Sequence, residues 1–178
     1  IIADPSPVEV FPGDQFELDG VNIRLLDLPG HSVNQKGFLI DDVAFVADTL
    51  FPEAFFKKQR LPFSYDPQMH TQTLEKMRTL SAKTFVGGHF PATGNIATLI
   101  ASNLQHVDRA MSFMRELLRV PQSQDHVVKA FLDHFGMKKV GWEYYLYRAT
   151  VNGYLSSLYR RGEVKYRVLD NLAVWYAV

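Results

Sequence analysis

The chain has 178 residues, 47% hydrophobic and 21% charged, the proportions of an ordinary globular domain, so a collagen-like, coiled-coil or wholly disordered chain is excluded. Nineteen basic and nineteen acidic residues cancel, which removes the global positive field of a protein that binds nucleic acid or an anionic membrane through charge. With no cysteine, disulfides, thiolate metal sites and cysteine nucleophiles drop out, and no apolar run approaches the roughly 18 residues of a membrane span.

Residue 1 is isoleucine, no signal-peptide pattern follows it, and the expected location is cytoplasmic. The first 50 residues read as strands. Residues 2–12 are extended and interrupted by prolines. Residues 15–18 and 21–28 predict a hairpin turning at Asp19-Gly20, a strong hairpin dipeptide. Residues 37–40 and 43–47 predict another, turning at Asp41-Asp42. Residues 49–65 read as an irregular segment rich in phenylalanine. Asp66 then caps a helix that carries Pro67 at its first position and runs to about Leu80. Residues 84–86 form a short strand ended by Gly87-Gly88. A long helix over 95–119 follows, its apolar residues Ile96, Leu99, Ile100, Leu104, Val107, Met111, Met114 and Leu118 keeping helical spacing. Pro121 to Gln124 reads as a linker. The tail reads as helices over 125–135, 142–149 and 151–161, then a ribbon of 164–169 and 173–178 around Asp170-Asn171.

Three polar residues follow apolar strands. His31 stands in LDLPGHS, Asp48 in VAFVADTLF and His89 in TFVGGHFPAT. Strand ends are where sites gather, and imidazole and carboxylate are ligands for zinc or iron. Each residue alone reads more readily as a turn or cap residue; their order and shared position at strand ends point to one site. His70 and His106, on helices among polar neighbours, read as surface or capping residues, and His126 and His134 as structural. Arg60 and Tyr65, in the loop after Asp48, are candidates to touch substrate.

The segments LDLPGHSVNQKGFLIDDVAFVADTLF and GGHFPAT resemble the second half of a metallo-β-lactamase-fold hydrolase, over about residues 8–118. The resemblance implies that His31 is a histidine of the first metal site, Asp48 the carboxylate bridging both metals and orienting the attacking hydroxide, and His89 the histidine of the second site. It implies two divalent ions, zinc or else iron or manganese, and a small-molecule substrate such as an ester or thioester. Ala47 stands where the family usually has glycine, and Phe90 where a glycine often follows the last histidine. The family's His-x-His-x-Asp-His signature is absent, and no histidine precedes His31. The expectation is a C-terminal portion of such an enzyme, inactive alone, with the two metals held in the intact enzyme and not necessarily by this portion.

The tail resembles the winged-helix extension behind some of these hydrolases. The fold class is therefore α/β (α+β). Residues 1–118 form the second half of an αβ/βα sandwich, and residues 119–178 a small winged-helix-like domain. Residues 125–178 carry eight Lys and Arg against five Asp and Glu, a weak footprint for nucleic acid, which is not an expected partner. Two other readings stand beside the hydrolase: a winged-helix nucleic-acid binder, and a non-catalytic interaction module. An incomplete sandwich leaves a sheet edge through which two copies could pair as a homodimer.

Overall fold

The computed structural model describes residues 14–138 and 141–178. The extended segment expected over 2–12 lies outside them. Five strands form the first sheet, in the order β1-β2-β3-β4-β5: β1 (Gln15–Leu18), β2 (Val21–Asp27), β3 (Lys36–Ile40), β4 (Val43–Phe45) and β5 (Thr84–Val86). Both expected hairpins form. Asp19, Gly20 and Asp41 carry positive φ at the turns, a conformation that Asp and Gly tolerate better than other residues. β2, β3 and β4 pair antiparallel in series, and β5 adds parallel to β4. It follows that β2, β4 and β5 run in one direction and end at one edge.

The segment expected to be irregular contains a helix, α1 (Glu53–Gln59). Its run of Phe55, Phe56, Lys57 and Lys58 has no clear amphipathic period, because Phe56 is buried and Phe55 only partly so. α2 (Pro67–Met77) begins as expected: Asp66 accepts from the Gln68 and Met69 amides, satisfying two of the helix's free N–H groups. α3 (Ala97–Leu117) is about 30 Å long and belongs to two cores. Its first turns, with Ile100, join α2 and Leu26, Ala44, Val46 and Phe85 of the sheet. Its later turns, with Val107, Ala110, Met111 and Met114, join the C-terminal unit.

That unit differs in detail from the sequence reading. The linker is a short strand, β6 (Gln122–Ser123), whose Ser123 caps α4 (Gln124–His134). The two helices expected over 142–149 and 151–161 are one, α5 (Trp142–Arg160). Thr150, Val151, Asn152 and Gly153 are poor helix formers, which argued for a break there. Tertiary packing overrides them: the Thr150 hydroxyl returns to the Leu146 carbonyl, and Gly153 lets α5 approach the backbone of Ser64 and Tyr65, where a Cβ would collide. β7 (Val164–Leu169) and β8 (Leu172–Ala177) form the ribbon, and β6 joins it in the order β6-β8-β7. No helix among the described residues is long and apolar enough to cross a membrane.

Candidate functional site

The common edge of β2, β4 and β5 carries His31, Asp48 and His89, and the structure brings all three together. His31 Nε2 lies 3.7 Å from one Asp48 carboxylate oxygen, Oδ2, and His89 Nε2 lies 3.6 Å from the other, Oδ1. Two donors that each stand about 2.1 Å from one tetrahedral ion are roughly 3.4 Å apart, so each histidine–aspartate pair is spaced like two ligands of a shared ion. Each pair supplies only two donors. Among the described residues there is no group of three or more such side chains that could hold a metal ion.

Local backbone chemistry fixes each residue. The Pro29-Gly30-His31 turn needs glycine, since Gly30 has φ +133° and a Cβ there would overlap the His70 backbone. The Gly30 carbonyl accepts from the amides of Tyr65 and Asp66. The Phe63 carbonyl accepts from His31 Nδ1 at 3.0 Å; this places the ring proton on Nδ1 and leaves the Nε2 lone pair facing Asp48. Such a bond to the far nitrogen is how proteins orient metal-binding imidazoles. Burial pushes the His31 pKa down, against the raising effect of Asp48, which favours the neutral, ligating form.

Asp48 sits in a single 3-10 turn, Ala47–Thr49. Ala47 has φ +47°, which explains the glycine usual there in the family it resembles. Gly88 donates its amide to the Ala47 carbonyl, and a Cβ at Gly88 would strike the Asp48 carboxylate. Both expected departures from glycine thus have consequences: Ala47 keeps the strained conformation, and Phe90 turns inward to become part of the sheet core.

Several contributors were not recognised in the sequence. Phe51, wholly buried, lies under both histidines, with ring centroids 5.9 Å from His31 and 5.1 Å from His89; Phe55 packs beside His89 at 5.1 Å. Asn103 of α3 clamps the Phe51 backbone, its Oδ1 accepting from the Phe51 amide and its Nδ2 donating to the Phe51 carbonyl. An amide at i+3 from Ile100 and i−4 from Val107, on their apolar face, was the available signal, because a buried polar group must be bonded. His70, expected at the surface, is buried: its Nε2 donates to the Thr49 carbonyl at 2.7 Å, one residue after Asp48. Burial pushes its pKa down. The spacing of His70 with Leu74 and Met77 places it on the inner face of α2, and that was readable. His106, also expected outside, is partly buried and stacked on Phe56 at 3.7 Å. Tyr65 is exposed beside the His31 turn; Arg60 lies elsewhere, in a cavity beyond α1.

No family model matches the chain. It is 25% identical over 122 residues, 67% of its length, to atrochrysone carboxyl ACP thioesterase from Aspergillus fumigatus, and spans 36% of that protein. Its fold superposes on a metallo-β-lactamase family protein from Thermus thermophilus, with a TM-score of 0.73, 16% identity, and 97% of this chain against 55% of that one. It also superposes on a β-lactamase domain protein from Burkholderia ambifaria, with a TM-score of 0.78, 16% identity and shares of 98% and 53%. The mixed α/β architecture is therefore metallo-β-lactamase-like. The chain spans about half the length of these solved structures and about a third of the curated relative.

Proposed function

We propose that this chain carries part of the centre of a metal-dependent hydrolase of the metallo-β-lactamase superfamily, with His31 and Asp48 holding one divalent ion and Asp48 and His89 a second. The observation that carries the reading is the Asp48 carboxylate, whose two oxygens each face a different imidazole. When bound, two such ions supply Lewis acidity and a hydrolytic nucleophile at neutral pH. The chain's own residues orient that chemistry. Phe63 fixes the His31 ring, Gly88 and His70 hold the Asp48 turn, and Phe51 and Phe55 keep water from the inner side. A catalytic zinc takes three protein ligands, so the complete centre needs donors beyond this set, and the chain alone is inactive. The substrate is a small ester or thioester with Tyr65 at the rim, a choice supported by the resemblance to the thioesterase.

The boundary near residue 118 is read as a functional one. We read the order α3-β6-α4-α5-β7-β8 as a winged helix, a reading in which α5 would be the helix for a nucleic-acid groove. That helix is already occupied. Tyr147 donates to the Leu61 carbonyl, Thr150 accepts from the Ser64 amide, and Arg160 pairs with Asp66. The unit is a buttress for the site, and nucleic acid is not its partner. The open apolar face of the first sheet favours a second layer there, from a further copy or from more of the same enzyme.

A zinc titration followed by the ring resonances of His31 and His89 tests the centre. Both rings should respond together, and Asp48→Ala should abolish the joint response; an unchanged response in the variant overturns the assignment. In the intact enzyme the same substitution should remove turnover.

A further inference from the structure

Beyond α1 from the site lies a cavity of about 370 Å³ whose lining includes Glu53, Lys57, Arg60, His106, Arg109 and His134. No ion pair among the described residues engages Lys57, Arg60 or Arg109, and each of the three is exposed. The one carboxylate is engaged: Glu53 accepts from the Ser102 hydroxyl at 3.1 Å and lies 4.0 Å from His106. In a chain with no net charge, three cations against the single Glu53 carboxylate leave a local positive field around this cavity.

A second, independent observation is backbone strain. Arg60 has φ +71° and ψ −53°, and the Leu61 amide returns to the Gln59 carbonyl at 2.9 Å. This is a γ-turn with positive φ at its centre, rare and strained for any residue with a side chain. Glycine would adopt it freely. Strain of this kind persists where the side chain it presents has a use. Here it presents a guanidinium to a cavity that already holds another. His106, stacked on Phe56, forms the wall, and burial together with the Arg109 charge keeps its pKa low.

We propose that this cavity binds the phosphate group of a small phosphate ester, with Arg60 and Arg109 as its principal donors and Lys57 as a supporting charge. Guanidinium forks match phosphate oxygens in pairs, and a shared oxyanion relieves the repulsion between neighbouring cations. One helix separates this cavity from the proposed centre: Phe55 of α1 touches His89 while Phe56 touches His106. The phosphate site does not rest on the hydrolase reading above.

The test is a titration of the metal-free chain with inorganic phosphate, then phosphopantetheine, then a single-stranded oligonucleotide, read by the ring resonances of His106 and His134. Phosphate should shift both rings saturably, and phosphopantetheine should bind at least as tightly. Arg60→Gly and Arg109→Gln should each weaken phosphate by about tenfold. Arg60→Gly should also raise the melting temperature, because glycine relieves the turn. No shift, or an undiminished shift when both substitutions are combined, overturns the site. Oligonucleotide binding that tightens with strand length also overturns it, by making the cavity part of a nucleic-acid track. Because no turnover is measured, a bound phosphate with a failed zinc titration would remove only the hydrolase reading. The reverse pair of results would remove only the phosphate site.

Discussion

The C-terminal unit closes its core on itself, whereas the five-stranded sheet covers one face and leaves the other apolar and open. Val127, Val128, Phe131, Val151, Leu155 and Leu158 are fully or almost fully buried among α3, α4 and α5. On the sheet, Leu26, Ala44 and Phe85 are buried under α2 and α3, while Leu18, Val21, Phe38 and Phe45 on the opposite face are each 40% exposed or more. Phe38 and Phe45 are register partners, so the exposed side chains form one surface. A sheet needs a layer on each apolar face. The difference teaches that the helices of the tail share one closed core, while the first sheet leaves one apolar face without a layer. The largest expected effect follows. Phe131→Ala, in the closed core, should lower stability by about 3–5 kcal/mol. Phe45→Ala, on the open face, should change it by less than about 0.5 kcal/mol. Thermal unfolding of both variants checks this, and equal losses would break the comparison.

The two regions are nevertheless joined through residues 61–66. α5 holds the Leu61 carbonyl and the Ser64 amide, and the Tyr65 and Asp66 amides hold the turn that carries His31. Asp66 is the knot: it caps α2, receives Arg160 from α5 and donates its amide to Gly30. Asp66→Ala should cost about 1–2 kcal/mol, the worth of a helix cap, and should broaden the His31 ring resonance while leaving His89 sharp. Arg160→Ala, which removes a half-exposed partner, should cost less than the cap. If Asp66→Ala leaves both histidines alike, the buttress role of the tail is wrong.

Much of this was legible in the sequence where one residue type has one local solution. Asp19-Gly20 set a hairpin, Asp66-Pro67 opened a helix, and the order of His31, Asp48 and His89 at strand ends placed them at one edge. What escaped was set by contacts distant in sequence. α1 was missed because its adjacent Phe55 and Phe56 pack in different directions, toward His89 and His106, and leave no period to read. The false break at Thr150 arose because local propensity there opposes a helix that Leu61, Ser64 and Tyr65 stabilise from some 86 residues away. Asn103 and His70 serve the site through the backbone of Phe51 and Thr49, and no spacing rule connects a side chain to a distant carbonyl.

The smallest expected effect separates the regions by pH. Buried imidazoles lie on the site side: burial pushes the pKa of His31, His70 and His106 below their ordinary 6.5. The unfolded chain therefore binds more protons than the folded one as pH falls through 6.5. Stability should rise with pH up to that point and fall below it. His70 is the clearest contributor, since its Nδ1 is buried without a partner and a second proton there would stay unsolvated. In the tail the buried titratable groups are phenols. Burial pushes Tyr154 and Tyr147 up, so their contribution is complete below pH 10 and is lost only as pH rises above it. Mild acid should thus loosen the amides around residues 47–50 and 64–70 before those of α4 and α5, and alkali should do the reverse. Amide exchange across that range reads the order directly. His70→Gln, which keeps a donor toward Thr49 but cannot titrate, should flatten the acid limb without touching the alkaline one; a variant that still loosens the same amides below pH 6.5 would assign the effect to His31 and His106 instead.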